Sequence, residues 1–341
     1  MSRLARAGRL VAVSSRVRVV DRVIDFIWWP LRGWIGGSIL LRGIRSRIPH
    51  RGPPTGGHRT RPFAVQWLGI IEPVKIAVVI SAYNNWDALR ATLRGYARQT
   101  RAPDEVWVAE DSSFAEVAQV VAEARPHLPG TMGHLTQADE GFRKCLALNR
   151  AIAVSQADYL VFTDADCVPR TDVLATFAAQ ARPGEFLSAG SHLNLPVGLH
   201  ERLQPEWIDD QRLFRADWLR AQGVRLSTLR LLSPTGLARA LAHMLDRLSP
   251  RNAFVGNLSG AWRSDLLRVA GFDEAMAYGA EDRNLGIRLN HAGVKGRRLR
   301  HALVCLHLEH PRSWKHDERV RENQRWNTAL GRNVTLPRRS V

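Results

Sequence analysis

The chain has 341 residues and a hydrophobic content of 45%, which supports a buried core in one large domain or two modest ones. Its three cysteines are far apart and form no CxxC pair, which argues against a disulfide framework or a structural zinc site and favours a reducing compartment. The net charge of +17 is uneven, because residues 1–61 hold 13 arginines against two aspartates and so leave only +6 for the other 280 residues; this distribution argues against a uniformly basic nucleic-acid-binding domain.

The N-terminal segment, residues 1–61, contains the Trp-rich stretch VIDFIWWPLRGWIGGSILL at residues 23–41, which is long enough to cross a bilayer. Asp25, Pro30 and Arg32 interrupt it, and a central charge costs roughly 2.5–3.5 kcal/mol on insertion scales. Its tryptophans favour the membrane interface. We therefore predict an interfacial anchor on an anionic membrane surface, peripheral on the inner face of the cytoplasmic membrane. A spanning helix and a disordered extension are the alternatives.

From residue 74 onwards, strand-like and helix-like stretches alternate. Strands are predicted at residues 74–83, 104–113, 133–137 and 158–166, and helices at residues 87–100, 114–126 and 145–155. This alternation predicts an α/β fold with a mostly parallel sheet flanked by helices, and ligands at the carboxyl ends of the strands. GxGxxG does not follow the first strand and GxxxxGK[ST] occurs nowhere, which excludes the dinucleotide fingerprint and the P-loop.

The fourth predicted strand ends in two acids, Asp164 and Asp166, within the stretch VFTDADCVPR. Side chains two residues apart in an extended chain point to the same side. Like charges this close repel each other unless a positive group lies between them. The pair therefore indicates a divalent cation held by oxygen ligands. Cys167 beside it is interpreted as a small buried hydrophobic residue.

Residues 192–252 are rich in Leu, Arg and Trp, and they are predicted to form a helical insertion. Within them, PTGLARALAHMLDRLSP (residues 234–250) predicts an amphipathic basic helix. This helix is interpreted either as an ordinary surface helix packed on the core, or as a second membrane contact or an acceptor-binding insertion.

Four stretches, VVISAYNN, VWVAEDSS, DEGFRKCLALNRAI and YLVFTDADCVP, together resemble the nucleotide-sugar-binding half of family 2 glycosyltransferases of the GT-A fold. Residues 256–289, GNLSGAWRSDLLRVAGFDEAMAYGAEDRNLGIRL, resemble the acceptor half. They are most similar to the galactosyltransferase-type region of bacterial chondroitin polymerase and polypeptide N-acetylgalactosaminyltransferases. CLHLEHPRSW (residues 305–314) is similar to the histidine segment that follows there. Each stretch alone is weak evidence for the family. The resemblance is specific because all of the stretches occur in the same order as in the family.

The resemblance implies a Rossmann-like GT-A fold behind a basic N-terminal extension. Residues 74–191 would be the nucleotide-sugar-binding half, and residues 253–315 the acceptor-binding and catalytic half. Residues 316–341 are predicted to be a basic C-terminal tail.

The resemblance also implies a metal site. Asp166 would bind a divalent cation on the diphosphate of the donor, and Asp164 would reach the ribose, or the metal through water. His307 matches the second protein ligand, with His301 and His310 as nearby rivals. A neutral imidazole suits Mn²⁺ better than Mg²⁺, so the expected cofactor is Mn²⁺ or Mg²⁺.

For the nucleotide-sugar, the resemblance implies contacts from the ends of the first two strands and from the third helix. Asp111 matches the acid that recognises the base or ribose, because a carboxylate accepts hydrogen bonds from uracil N–H or ribose hydroxyl groups. Ala82 and Asn84 match positions near the base. Arg143 and Asn149 match positions near the diphosphate, where a guanidinium would offer forked donors.

Glu281 and Asp282 match the acidic pair of the acceptor half. Inverting transfer needs one carboxylate to take the proton of the acceptor hydroxyl, and the resemblance assigns this to Asp282, with Glu281 orienting acceptor or donor sugar. The pair is also typical of helix N-terminal acids favoured by the dipole. The stretch departs from the family, because Ala280 replaces the second glycine and Tyr278 the common tryptophan. Tyr278 and Trp262 are interpreted as sugar platforms or as core aromatics.

The prediction is a metal-dependent, inverting family 2 glycosyltransferase. It would use a nucleotide-diphospho-sugar, most often a UDP-sugar in this family, and a saccharide or lipid-linked saccharide acceptor of the cell envelope. A nucleotidyltransferase is the alternative enzyme, but its glycine-rich, arginine-containing start is missing. A non-catalytic nucleic-acid-binding protein is the alternative of another class; the basic residues are not interleaved with stacking aromatics in the body, so no nucleic-acid partner is expected. A degenerate transferase that serves as a scaffold is the third.

Overall fold

The computed structural model describes residues 73–189, 192–224, 236–248, 253–309, 318–331 and 333–339. The anchor predicted for residues 1–61 lies outside the described residues. The strands are β1 (Ile76–Ala82), β2 (Glu105–Glu110), β3 (Thr131–Leu135), β4 (Tyr159–Asp164), β5 (Cys167–Pro169), β6 (Glu185–Ser188), β7 (Leu193–Leu195), β8 (Ser259–Trp262), β9 (Lys295–Arg298) and β10 (Cys305–Leu308). The helices are α1 (Trp86–Ala97), α2 (Ala115–Ala124), α3 (Lys144–Val154), α4 (Val173–Gln180), α5 (Pro205–Asp209), α6 (Ala216–Ala221), α7 (Gly236–Arg247), α8 (Arg263–Arg268), α9 (Glu281–His291) and α10 (Glu318–Ala329). Among the helices in these ranges, none is both long and apolar enough to cross a bilayer.

The main sheet has seven strands in the order β3-β2-β1-β4-β8-β6-β9. All its strand pairs are parallel except the two made by β8. Ile76, Val78 and Ile80 of β1 pack into one core with α1 and α2. Ala77 and Val79, which point to the other face, pack into a second core with α3 and α9. Burial on both faces explains why the sequence of β1 is a continuous apolar run. The predicted α/β class, with a mostly parallel sheet flanked by helices, is confirmed.

A second sheet of three strands, in the order β5-β10-β7, lies beside the end of β4 in the chain. β10 is antiparallel to β5 and parallel to β7. Leu193, Leu195, Leu306 and Leu308 pack into a third apolar cluster with Leu213 and Leu219 of the helical segment. This sheet has the effect of bringing residues 305–308 back to the acid pair that follows β4.

The two predicted halves share the main sheet. β8 comes from the proposed acceptor half, yet it lies between β4 and β6 and pairs with both. Residues 192–252 contain α5, α6 and α7, but the segment begins with β7, which belongs to the second sheet. The boundaries at residues 191 and 253 remain predictions, and they do not separate two sheets.

The described part of the predicted C-terminal tail is not an unstructured extension, because it forms α10 and packs on α9. Asn323 donates hydrogen bonds to the carbonyls of Ala277 (2.8 Å) and Gly279 (2.9 Å). Asn327 donates to the carbonyl of Ala280 (2.9 Å) and accepts from the side chain of Asn284 (2.8 Å). The buried side of α10 is formed by asparagines rather than by an apolar stripe, so apolar periodicity gave no signal for this helix.

Candidate active site

The acid pair lies at the carboxyl end of β4. Asp164 is the last residue of that strand and pairs in register with Ser81 of β1. Its Oδ1 accepts hydrogen bonds from the Ser81 hydroxyl (2.8 Å) and from the Lys144 ammonium (2.7 Å). One ligand atom each of Asp164, Asp166 and Cys167 lie within 4.8 Å of one another. The two carboxylates are therefore close enough to face one cation.

His307 reaches this acid pair from the second sheet. It lies opposite Cys167 in the antiparallel pairing of β10 with β5, and its Nε2 is 3.3 Å from Oδ2 of Asp166. Its Nδ1 is 3.5 Å from Oε2 of Glu309, and its ring is 4.7 Å from that of His192 between centroids. The imidazole is buried, so these neighbours fix its position. The structure therefore brings together Asp166 and His307.

The predicted rival His301 is not on the same strand face. The strand that carries His307, β10, begins only at Cys305, so residue 301 lies outside it. The backbone N–H of His301 instead donates to the carboxylate of Asp246 at 2.9 Å. His310 lies outside the described residues. Within the described part of the chain, His307 is the histidine that contacts the acid pair.

The donor set fits an oxygen-preferring divalent cation. Asp164 and Asp166 supply carboxylate oxygens and His307 a nitrogen, a combination that suits Mn²⁺ and, less well, Mg²⁺. A hydrogen bond with Cys305 and burial raise the pKa of the Cys167 thiol well above its usual value. Oxygen-preferring cations such as Mn²⁺ and Mg²⁺ favour carboxylate ligands over sulfur, so the two aspartates are the better ligands here. Cys167 is fully buried, as its interpretation as a hydrophobic residue requires.

Glu281 and Asp282 open helix α9, and backbone amides hold both carboxylates. Oδ2 of Asp282 accepts a hydrogen bond from the N–H of Gly256 at 2.7 Å, and Oδ1 accepts from the N–H of Arg283 at 2.6 Å. Oε2 of Glu281 accepts from the N–H of Gly279 at 2.9 Å. Amide donors at a helix N-terminus stabilise charge there. They also fix the direction in which each carboxylate points.

Lys144 joins the two groups of acids, and the sequence analysis did not select it. Its Nζ lies 2.7 Å from Asp164 and 3.8 Å from Oε1 of Glu281, and its side chain is only 19% exposed. The sequence did contain a signal for Lys144. It is the first residue of α3 and lies four residues before the buried Leu148, so the two side chains are on the same side of the helix. The carboxyl end of β4 and the N-terminus of α9 thus form one charged cluster: Asp164, Lys144, Glu281 and Asp282.

Burial shifts the titration of this cluster. Burial raises the pKa of Glu281 to about 7, against the opposing effect of Lys144 and with support from Asp282. Burial also raises the pKa of Asp282, while the Gly256 amide opposes the rise. Burial disfavours the charged form of Lys144, but Asp164 and Glu281 outweigh it and raise its pKa. The cluster therefore holds a firmly charged lysine beside two carboxyls, Glu281 and Asp282, whose pKa values are higher than usual.

Glu281 should make the stability of the protein depend on pH. Its pKa in the folded protein is about 7, against an ordinary value of 4.5, so the folded state binds the proton more tightly. The stabilisation from this group is complete below about pH 4.5 and is lost as the pH rises through about 7. We expect Glu281→Gln to gain stability relative to the wild type between those values. Urea unfolding across the range checks this, and the exposed Glu318→Gln should run parallel to the wild type. A constant difference for Glu281→Gln would contradict the prediction.

Ala280 precedes Glu281 in a left-handed backbone conformation, with φ of 66°. A side chain there costs about 1–2 kcal/mol, and glycine avoids this at an entropic cost of roughly 0.5–1 kcal/mol. Ala280→Gly is therefore expected to raise the free energy of unfolding by about 0.5–1 kcal/mol. The control is Ala118→Gly, at an exposed position inside α2, which should lower it by about 1 kcal/mol. If urea unfolding showed that both variants are destabilised equally, the left-handed conformation of Ala280 would not be a source of strain.

The predicted nucleotide residues Asp111 and Ala82 are brought together at the ends of β2 and β1. The N–H of Asp111 donates to the carbonyl of Ala82 at 2.9 Å. The carboxylate of Asp111 accepts from the side chain of Gln137 (2.6 Å) and from the N–H of Arg143 (2.7 Å). Asn84 is exposed in the loop after β1. Asp111 thus positions the start of α3, besides any contact with a ligand.

Arg143 and Asn149 do not join the charged cluster. The Arg143 guanidinium pairs with Glu140 at 2.7 Å and donates to the carbonyl of Ala138. The amide of Asn149 bonds to the backbone N–H (2.7 Å) and carbonyl (3.0 Å) of Phe272 and to the side chain of Glu274 (2.7 Å). Adjacent helical residues point about 100° apart, so Lys144 faces the acids and Arg143 does not. The diphosphate contacts of Arg143 and Asn149 stay predictions, and in this structure Asn149 anchors the loop before α9.

The two aromatic candidates lie in different places. Trp262 pairs with Tyr159 at the start of β4, which is the opposite end of the strand from Asp164. Its ring packs edge-on against Tyr159 at 5.5 Å, as a core aromatic does. Tyr278 lies three residues before Glu281, and its ring packs edge-on against Phe142 at 5.4 Å. Of these two aromatic residues, only Tyr278 is close in sequence to a member of the charged cluster, Glu281.

Comparison with known protein families identifies the class. Residues 77–198 match the family model described as glycosyl transferase family 2. Residues 239–317 match the model described as the N-terminal domain of galactosyltransferase. The chain therefore contains a family 2 glycosyltransferase domain, followed by a galactosyltransferase-type domain. The predicted resemblance is confirmed, and the family matches favour a glycosyltransferase over the nucleotidyltransferase and the nucleic-acid-binding protein.

Among named relatives, the chain is 25% identical over 275 residues to the uncharacterized glycosyltransferase YfnE of Bacillus subtilis (strain 168), covering 73% of this chain and 69% of that protein. It is 29% identical over 233 residues to validoxylamine A glucosyltransferase of Streptomyces hygroscopicus subsp. limoneus, covering 64% of this chain and about half, 48%, of that protein. Among solved structures, it is similar to a mannosyltransferase from Pyrobaculum calidifontis in complex with GDP-Man and Mn²⁺. That similarity has 19% identity, a TM-score of 0.47, and coverage of 87% of this chain and 68% of the other.

Proposed function

We propose that the protein transfers a sugar, with inversion, from a nucleotide-diphospho-sugar to a hydroxyl group of an acceptor. The observation that carries this proposal is the single charged cluster at the end of β4. In it, Lys144 links the donor-side carboxylate of Asp164 to Glu281, which is followed by Asp282. A donor-side and an acceptor-side acid so close together support transfer between two bound sugars, rather than binding alone.

Asp282 is proposed as the base that takes the proton from the acceptor hydroxyl. Two backbone amides, from Gly256 and Arg283, orient its carboxylate, and burial raises its pKa. A carboxylate that is more basic than usual accepts a proton more readily at neutral pH. Glu281, fixed by the Gly279 amide, would orient the acceptor or the donor sugar.

Asp166 and His307 are proposed to hold the divalent cation, with Asp164 beside it or on the ribose. When bound, the cation would neutralise negative charge on the departing nucleoside diphosphate. Lys144 is proposed as a permanent positive charge among the carboxylates. It would let Asp164 and Glu281 remain close together when the site is filled. Asp111, Ala82 and Asn84 would lie at the nucleoside end of the donor.

The donor site can be tested by thermal unfolding with UDP, GDP, dTDP and CDP, each with and without Mn²⁺. A ligand that binds only the folded protein raises the apparent Tm. One nucleotide should stabilise the wild type in the presence of Mn²⁺, and Asp166→Ala should remove that shift. The matched control is Asp217→Ala, which removes an exposed, ion-paired aspartate of α6. An absence of any nucleotide effect on the wild type would contradict the proposed donor site.

The acceptor is proposed to be a cell-envelope saccharide, free or on a lipid carrier, reached at the inner face of the cytoplasmic membrane. The basic, Trp-rich residues 1–61 motivate this, since such a segment favours an anionic membrane surface. Radiolabelled donor, chosen by the nucleotide panel, would be incubated with envelope glycolipids and with soluble sugars. Label that enters only the soluble sugars would contradict a lipid-linked acceptor.

A further inference from the structure

Helix α7 carries an apolar stripe that points away from the protein. Leu237, Leu241 and Met244 lie on this helix and Leu248 directly follows it, at the spacing i, i+4, i+7 and i+11 that forms one side of a helix. Leu237 is 87% exposed, Leu248 77% and Met244 45%. A surface helix of a globular protein usually buries this stripe against the core. In α7, by contrast, the apolar stripe faces outward.

The opposite side of α7 holds it in this orientation. Asp246 is 2% exposed, and its carboxylate accepts hydrogen bonds from the backbone N–H groups of His301 and Ala302, both at 2.9 Å. Ala242, one turn before Asp246, is buried as well. Asp246 is the single acid between residues 236 and 248. Because its carboxylate faces the body of the protein, the outward side of α7 carries no negative charge.

Positive charge borders the outward stripe along one flank of the helix. Arg247 is exposed and lies three residues after Met244, so the two are neighbours on the helix surface. Arg239 is half-buried and lies seven residues before Asp246, so it is on the body-facing side of the helix and not beside the stripe. Its Nε is 3.4 Å from Nε2 of His243. An apolar stripe bordered by the Arg247 guanidinium, with no acid on its side of the helix, matches the layered chemistry of an anionic bilayer, with phosphate groups above acyl chains.

The size of the stripe favours a bilayer over a second copy of the chain. Twelve residues of helix are roughly 18 Å long. A stable protein interface needs about 800 Å² from each partner, which is far more than a stripe of this length and a single helix's width provides. A membrane requires no matched partner surface, because lipids rearrange around any apolar strip of this kind.

We propose that α7 is an interfacial membrane contact. Leu237, Met244 and Leu248 insert among lipids, while the exposed Arg247 beside them contacts anionic headgroups. This contact is separate from the N-terminal segment, and it stands without the proposed function. Through Asp246, α7 is tied to the segment that leads into β10, the strand that carries His307. The use of the contact, which is to hold the site close to a lipid-linked acceptor, rests on the proposed function.

The test uses the full chain with an environment-sensitive label on α7. Cys145, Cys167 and Cys305 are buried, so the single cysteine of Met244→Cys can be labelled selectively with the fluorophore NBD. The control carries the label at Leu267→Cys, a similarly exposed position on α8. Vesicles of phosphatidylcholine with phosphatidylglycerol are added to both proteins, and co-sedimentation records binding by the chain as a whole.

The expected result is a blue-shifted, brighter emission at residue 244 and no change at residue 267. The response should weaken in pure phosphatidylcholine and at high salt. It should fall by about tenfold or more when Leu237→Glu and Leu248→Glu are added. Co-sedimentation without a response at residue 244 would overturn the proposal, because binding would then come from another segment. So would a lack of any binding, or a response that needs no vesicles and grows with protein concentration, which would indicate a second copy as the partner. None of these outcomes depends on sugar transfer, which is scored separately by the nucleotide panel.

Discussion

Asp282→Asn is expected to lower kcat for sugar transfer by about 10²–10⁴-fold, the usual contribution of a general base. The amide keeps the shape of the side chain, but it cannot take the proton of the acceptor hydroxyl. Asp282 lies at the start of α9 and not among the groups that face the cation, so the metal-dependent shift in Tm with nucleotide should persist. Steady-state transfer kinetics and the thermal panel on the same protein preparation measure both effects.

The control for this substitution is Asp265→Asn, which makes the same chemical change in the first turn of α8. Asp265 pairs with Arg268 at 2.8 Å and lies beyond Trp262, at the other end of the sheet from the acid pair. Its variant should retain the kcat of the wild type. Comparable kcat values for the two variants would remove Asp282 from the role of base, and a large loss confined to Glu281→Gln would transfer the role to Glu281.

Lys144→Met is expected to lower the free energy of unfolding by about 3–5 kcal/mol near pH 8, as breaking a buried ion pair does. Without Lys144, the carboxylates of Asp164 and Glu281 lose the cation that they share. Lys144 holds down the pKa of Glu281, so without it this pKa should rise further, and the penalty should shrink as the pH falls and Glu281 becomes protonated. Urea unfolding near pH 8 and near pH 5 measures the difference.

Two further variants separate charge from packing. Lys295→Met removes an exposed lysine at the start of β9, and it should change stability by no more than about 0.5 kcal/mol. Lys144→Met combined with Asp164→Asn should recover part of the loss, because the second change removes a carboxylate that lacks a partner. If the losses in the double variant simply added, the role of Lys144 would be packing of its stem and not neutralisation of the acids.

The parallel part of the main sheet was predictable because its strands are buried on both faces. Ile76 to Ile80 form an apolar run of the kind that only a central strand or a buried helix needs, and turn residues on each side decide for the strand. The pairing of Asp164 with Asp166 followed from the two-residue period of an extended chain. These inferences depend on residues that are close in sequence, and there the chain carries its own signal.

The remaining features depend on contacts between distant residues. β5, β7 and β10 have three or four residues each, too short for a periodic pattern. Lys144 and Arg143 are both cations at the start of α3, and only the helix's packing decides which of them faces the acids. α10 buries Asn323 and Asn327, which donate hydrogen bonds to the loop before α9 and so attach the helix to it. The outward stripe of α7 has the same spacing as an inward one, so sequence alone left both interpretations open.

The position of β8 has a consequence for engineering and for the evolution of specificity. A chimera that exchanges everything after residue 252 would replace both strands that pair with β6, which are β8 and β9, and β6 would then depend on foreign strands for its place in the main sheet. A graft that keeps β8 and replaces residues between it and α9 would leave every ladder of the sheet intact. New acceptor preferences should therefore arise more readily by changes within that loop than by recombination of whole halves.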